Sequence, residues 1–268
     1  MCVAGSLGVG VGAGFDPTVP NVARVYDYML GGKDNFAIDR DFGDQLLAAF
    51  PESAWIARQN RAFAGRAATY CAEQGVSQFL DIGSGLPTMD NVHERARKVI
   101  PDARVVYVDN DKVANRHAEV LLSTSDGVAA ILGDVRAPEQ ILADVRARRL
   151  IDLSKPFVVM MTALLHYITD EERPEELVRV FRNAMPSGSF LVLTHATHDY
   201  QPEESERAAR LYRRASAPLV TRSRIDIAAF FSGLEIVEPG LVRTSRWRPP
   251  EEITAESSDL FGGVGRKP

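Results

Sequence analysis

Three acids stand at intervals that could serve one ligand. Asp81 lies inside Phe79-Leu80-Asp81-Ile82, Asp109 ends Arg104-Val105-Val106-Tyr107-Val108-Asp109, and Asp134 follows Gly133. The run around Asp81 is too short for a helix and stops at Gly83-Ser84-Gly85, the pattern of a buried parallel strand ending in a tight turn. A carboxylate there is costly to bury unless backbone donors or a polar ligand satisfy it. Gly83 and Gly85, lacking a Cβ, let the backbone come close to such a ligand. Asp109 follows Gly85 by 24 residues, near the spacing at which an acid accepts two ribose hydroxyls. Asp134, one strand further on, suits an exocyclic adenine amine. Each acid alone is more often a turn or cap residue. The ordered set points to a nucleoside-containing cofactor.

The elements that must carry these residues alternate. Strands are expected near 79–82, 104–109, 128–132, 157–161 and 190–193, with helices over 112–122, 138–149 and 171–185 between them. This alternation predicts an α/β fold with a doubly wound, mostly parallel sheet of seven strands. Three helices precede it, one capped by Asn21, one over 39–50 and one over 53–73, and a helical cap over 21–75 follows from them. After helices near 202–215 and 224–232, the runs 234–237 and 241–247 flank Pro239-Gly240. They read as an antiparallel pair at the C-terminal edge. Residues 1–20 read as a disordered leader, and 21–268 as a single domain.

Composition narrows the function classes. A formal net charge of −5 and a pI near 5.6 argue against a surface built for phosphate backbones, so no nucleic-acid partner is expected. No segment is long and apolar enough for a membrane span. Cys2 and Cys71 make no disulfide framework, which suits a reducing cytoplasm.

Two cofactor classes compete for the glycine turn. A dinucleotide site wants a third glycine where this chain has Thr88, and its pyrophosphate sits badly beside Asp81. S-adenosylmethionine has no phosphate and carries an ammonium and a sulfonium, which an acidic pocket suits. The motifs Asp81-Ile82-Gly83-Ser84-Gly85, Asp109 and Gly133-Asp134 resemble those of class I S-adenosylmethionine-dependent methyltransferases, which are Rossmann-like. The stretch 21–36 (Asn21-Val22-Ala23-Arg24 through Asn35-Phe36), Leu86-Pro87-Thr88, Val108-Asp109-Asn110-Asp111 and Leu164-Leu165-His166-Tyr167-Ile168 are similar to one uncharacterised bacterial family of that superfamily.

The resemblance implies S-adenosyl-L-methionine as cofactor. Asp81 would orient its methionine end past Gly83, Ser84 and Gly85. Asp109 would take the ribose hydroxyls with Asn110 beside the adenine, and Asp134 and the Val135 amide would read the adenine edge. Thr162 would line the sulfonium side, and the N-terminal helices would bring Tyr28, Asn35 or Arg61 near it. Transfer from a sulfonium needs positioning and water exclusion, with a general base only if the acceptor must lose a proton early. His166 is the candidate base, against the reading of a satisfied core histidine. His195, His198 and Asp199 suggest no metal site, for want of a fourth ligand. Glu203–Arg207 and Glu206–Arg210 are expected as pairs on a solvated helix face. The expected reaction is methylation of a small-molecule O or N acceptor. The alternatives are a non-catalytic S-adenosylmethionine or S-adenosylhomocysteine binder and a nicotinamide-dependent oxidoreductase.

Overall fold

The computed structural model describes residue 16 and residues 18–87, 90–122, 125–251 and 260–268. Most of the expected leader, and Thr88 of the glycine turn, lie outside the described residues. In chain order the N-terminal helices are α1 (Val22–Met29), α2 (Ala37–Ala49) and α3 (Ser53–Glu73). Then follow β1 (Gln78–Ile82), α4 (Val92–Arg97), β2 (Arg104–Asp109), α5 (Lys112–Leu122), β3 (Val128–Leu132), α6 (Pro138–Ala147) and β4 (Val158–Met161). The remainder is α7 (Pro174–Ala184), β5 (Phe190–Ala196), α8 (Pro202–Tyr212), α9 (Arg224–Ala229), β6 (Glu235–Ile236), β7 (Val242–Arg243) and β8 (Leu260–Arg266).

One 8-stranded sheet runs β3-β2-β1-β4-β5-β8-β6, with β7 also on β8. Strands β1 to β5 are mutually parallel, and β8 runs antiparallel to β5 from Phe190↔Arg266 to Ala196↔Leu260. The strand order turns back between β1 and β4, and a crevice for ligands opens at such a point beyond the carboxyl ends.

Side chains alternate across the sheet with period two. Leu80, Ile82, Val106, Val108, Val159, Met161, Leu191 and Leu193 pack with Ile141, Val178, Phe181 and Phe230 on one face. Phe79, Val105, Tyr107, Val158, Met160, Phe190 and Val192 pack with Phe63, Ala67, Ala96 and Trp247 on the other. Asp81 and Asp109 continue the second set by parity, so they face α3. A third cluster joins the helical cap to α8 through Val25, Met29, Phe42, Leu46, Ala57 and Tyr212.

The structure adds to or corrects the sequence expectations at the tail and in two shorter stretches. The runs 234–237 and 241–247 do not pair with each other: β6 and β7 each pair with β8, at Glu235↔Arg266 and Val242↔Gly262. Strand β8, Leu-Phe-Gly-Gly-Val-Gly-Arg, is hidden in the sequence because glycine disfavours strands. Its glycines are there for room. A Cβ at Gly262 would stand 3.0 Å from the ring of the buried Phe63 and from Thr244, and one at Gly265 2.9 Å from Phe231. Gly262→Val is therefore expected to lower unfolding free energy by about 1–3 kcal/mol in urea titrations, the usual cost of overpacking. Helix α4, absent from the expected elements, starts at a capping box in which the Asn91 N–H donates to Glu94 at 2.9 Å. On α8, Glu206 pairs with Arg210 as expected, but Arg207 takes Glu204 rather than Glu203.

Candidate functional site

The carboxyl ends of β1 to β4 open on a cavity of about 1080 Å³, at the upper end of small-molecule sites (~300–1,000 Å³). Asp81, Gly83, Ser84, Gly85, Asp109 and Asn110 line it, and so do Asp134, Val135, Thr162 and Arg61. Ten of the residues expected at the site are thus brought together from β1, β2, β3, β4 and α3. Tyr28, Asn35 and His166 are not among its walls.

Asp81 is buried, and no hydrogen bond reaches its carboxylate among the described residues. Burial pushes its pKa up to about 7; the Arg61 guanidinium pulls it down and the Asp109 charge adds to the rise. Arg61 itself reaches the Leu86 carbonyl at 3.4 Å. Asp109 is better solvated by backbone. Its two oxygens accept from the Gly85 and Asp111 amides, each at 2.8 Å. Burial still raises it to about 6, with the Asp111, Gly85 and Asn110 amides holding it down. Two buried carboxylates in one cavity favour a cationic ligand, because a positive charge offsets both the desolvation and their mutual repulsion.

The two glycines of the turn have different duties. A Cβ at Gly83 (φ 69°) would meet Leu164 at 2.5 Å, so this glycine makes room for a neighbouring side chain. At Gly85 (φ 63°) a Cβ would meet only Ala23, at 4.0 Å, and would project into the cavity. The Gly83 and Ser84 amides donate to the Val108 carbonyl and the Gly85 amide to Asp109, so none of these three N–H groups is left for a pyrophosphate. Two buried acids and an open cradle at Gly85 suit the cationic S-adenosylmethionine.

At the far wall Asp134 is heavily engaged. It accepts from the Asn110 side chain at 3.0 Å, and from the Arg136 amide at 2.9 Å and guanidinium at 3.3 Å. Arg136 also pairs with Glu172, and sequence reasoning passed it over because it looks like a solvated turn arginine.

Each residue outside the cavity has a local reason to be there. Tyr28 follows Tyr26 by two positions, about 200° around a helix, so when Tyr26 faces the cavity Tyr28 faces away. Its hydroxyl donates to Asp44 at 2.7 Å. Asn35 closes the turn between α1 and α2, donating to Asp27 at 2.9 Å and to the Gly32 carbonyl at 3.0 Å. His166 is buried, its Nδ1 accepting from the Ala196 amide at 3.3 Å. Burial, with His195 and Arg222 alongside, holds its pKa well below the ordinary value, and it is a core histidine with its hydrogen bond made. His195 Nε2 lies 2.7 Å from Arg222, His198 Nδ1 is 3.2 Å from Thr221, and Asp199 accepts from the Arg224 amide at 2.9 Å. The three point to separate partners.

A buried relay, not foreseen from the sequence, joins the cap to the end of β4. The Ala163 amide donates to Thr194 Oγ1 (2.7 Å), whose hydroxyl donates to Asn60 Oδ1 (2.7 Å). The Asn60 amide donates to Tyr26 Oη (2.8 Å), which donates to the Ala57 carbonyl (3.0 Å). Ala163 has φ 53°, a conformation costly without a Gly and held only where surroundings over-determine it. Nearby, Arg24 pairs with Asp39 at 2.7 Å and with Asp111 at 3.5 Å, fastening α1 and α2 to the loop that carries Asn110.

The sequence profile of a family described as S-adenosyl methyltransferase matches residues 11–268. A DUF574 family protein from Streptomyces avermitilis is 36% identical, with a TM-score of 0.88 over 93% of this chain and 98% of that one. A methyltransferase candidate from Thermobifida fusca is 39% identical, with a TM-score of 0.89 over 93% and 96%. The N-methyltransferase NodS of Bradyrhizobium japonicum, solved with S-adenosyl-L-homocysteine, is 14% identical at a TM-score of 0.50 over 91% and 99%, a likeness of fold alone. No curated protein matches the chain.

Proposed function

Because the chain belongs to the S-adenosyl methyltransferase family and takes S-adenosylmethionine as its cofactor, we propose that it methylates a small molecule at oxygen or nitrogen. The observation that carries this reading is one cavity with two kinds of wall. Its acidic part, Asp81, Asp109 and Asp134, suits the cofactor, and Tyr26, Leu164, Tyr167 and Ile168 leave an apolar, aromatic remainder for an acceptor. When bound, S-adenosylmethionine supplies a methyl group on a cationic sulfur. Asp81 would accept from its ammonium, Asp109 from the ribose hydroxyls, and Asp134 with the Val135 amide would meet the adenine edge. Thr162 and Ala163, at the cavity wall beyond β4, would form the floor on the sulfonium side. The relay through Thr194, Asn60 and Tyr26 keeps that floor in place and the cap keeps water out.

No histidine is among the cavity walls. Tyr26 and Tyr167 are half-buried phenols whose pKa values desolvation raises. An acceptor with a free lone pair, such as a neutral amine, therefore suits the site better than an alcohol needing early deprotonation. In this reading residues 21–268 work as one domain, with 21–75 as the cofactor's cover, in a reducing cytoplasm. Among the described residues no helix is long and apolar enough to cross a membrane.

The test is methyl transfer from labelled S-adenosylmethionine into a bacterial extract, with products identified by mass spectrometry. Label in small molecules supports the proposal; label only in protein or nucleic acid overturns it.

Cofactor binding should also depend on pH. Asp81 binds best as a carboxylate, and its free-state pKa is near 7. Affinity is therefore expected to rise as pH climbs through about 6 to 7 and then level off, with protons released on binding below that point. Calorimetry in two buffers of different ionisation enthalpy reads the release. A buffer-independent heat at pH 6 would remove Asp81 from the ammonium.

A further inference from the structure

A second cleft, of about 320 Å³, lies among the strand β7, the strand β8 and the segment after β5. Its walls are Tyr200, Arg224, Leu241, Arg243, Arg246 and Phe261, with Val242 between. The chain as a whole carries a formal net charge of −5, yet among the described residues this cleft is lined by three arginines and no acid. None of the three pairs with a carboxylate among the described residues. The nearby Asp199 spends its Oδ2 on the backbone N–H of Arg224.

Two of the arginines are held in position. Arg243 lies over the Tyr200 ring at 3.9 Å from its centroid. Arg224 donates its Nε to the Leu241 carbonyl at 3.1 Å and lies 5.9 Å over the Phe261 ring. Stacking and a fixed Nε leave the terminal nitrogens as oriented donors, so little freedom is lost when an anion arrives. Like charges brought together with no counter-charge repel one another, and a bound oxyanion turns that repulsion into attraction. The cleft also belongs to the business end of the sheet. Phe261 pairs with His195 and Leu260 with Ala196, at the carboxyl end of β5.

We infer that this cleft binds the phosphate group of a small molecule. One arginine suffices for a carboxylate, which it grips with a two-pronged fork. Three arginines lining one cleft match the greater charge and the additional oxygens of a phosphate. The phosphate belongs either to the methyl acceptor, reaching from the cavity, or to a separate small ligand. The inference does not depend on the acceptor proposed above.

Calorimetric titration of the full chain with inorganic phosphate, pyrophosphate and, as a carboxylate control, acetate at constant ionic strength tests it. Pyrophosphate is expected to saturate with a dissociation constant at or below about 1 mM and acetate not to bind. Arg243→Gln with Arg246→Gln should weaken pyrophosphate about tenfold or more, with melting temperature in phosphate-free buffer and S-adenosylmethionine affinity unchanged. Should the double variant fail to fold, Arg246→Gln alone, at an exposed position, gives the same reading. Absence of saturation, equal binding of acetate, or undiminished binding by the folded variant would overturn the inference. Repeating the titration on protein saturated with S-adenosylhomocysteine separates the sources. A changed phosphate affinity assigns the group to the acceptor, and an unchanged one to a separate ligand.

Discussion

Alanine at position 109 is expected to weaken S-adenosylmethionine binding by at least about tenfold, and toward a hundredfold, in calorimetry at pH 7.5. Hydrogen bonds to a charged acceptor are worth about 1.5–3 kcal/mol each, and the ribose loses two. The turn suffers as well, because Asp109 holds the Gly85 and Asp111 amides at 2.8 Å each. An opposing effect bears on stability. Burial raises Asp109 from 3.8 to about 6, so above pH 6 its ionised form costs the free protein on the order of 3 kcal/mol. Alanine relieves that strain while orphaning two amides at about 1–3 kcal/mol each. The two terms nearly cancel, so the unfolding midpoint should move little while affinity collapses. Asp109→Asn is the sharper probe. Its volume is conserved, but its NH₂ must face one of the two amide donors. An unchanged dissociation constant in both variants would place the ribose elsewhere.

How far the sequence goes toward this site depends on the range of the interactions involved. The alternation of Phe79, Leu80, Asp81 and Ile82, with the matching runs at 104–109 and 157–161, makes the parallel sheet legible because period two is a local signal. The sheet then brings the acids of β1, β2 and β3 to one end without further information. Arg61 was within reach for the same reason, lying on a helix packed against the face to which Asp81 points. The relay from Ala163 to Thr194 to Asn60 to Tyr26 was not. Thr194 and Asn60 are 134 positions apart, and neither residue type announces a partner. Tyr28 points to Asp44, while Tyr26, two positions earlier on the same helix, lines the cavity. Strand β8 was lost to its three glycines, whose role is set by Phe63 and Phe231 on neighbouring elements. What was missed is packing and hydrogen bonding between distant segments.

The largest stability effect is expected at one such long-range residue. Arg222 is buried, and its side chain stitches the loop after β4 to β5. It donates to the Leu165 carbonyl at 3.1 Å, the Ile168 carbonyl at 2.9 Å, His195 Nε2 at 2.7 Å and Asp170 at 2.6 Å. Since His195 Nε2 accepts, its Nδ1 carries the proton and donates to the Ala196 carbonyl at 2.7 Å. Asp170 is 77% exposed, and its pairing contributes little. The weight falls on the three buried acceptors. Arg222→Met fills the volume but leaves them without donors, and about 3–5 kcal/mol of unfolding free energy should go in urea titrations. The same loop presents Leu164 and Tyr167 to the cavity, so cofactor affinity should fall with it. Acid gives a second reading. Burial holds His195 at about 3, against 6.5 when unfolded, so the unfolded chain binds more protons between those values and stability is lost as pH falls through them. Removing the Arg222 charge eases one cause of that depression, and the variant should lose less of its remaining stability over this range than the parent does. A loss under about 1 kcal/mol at pH 7, or an unaltered acid profile, would show that water replaces the guanidinium and that the loop holds its shape by packing alone.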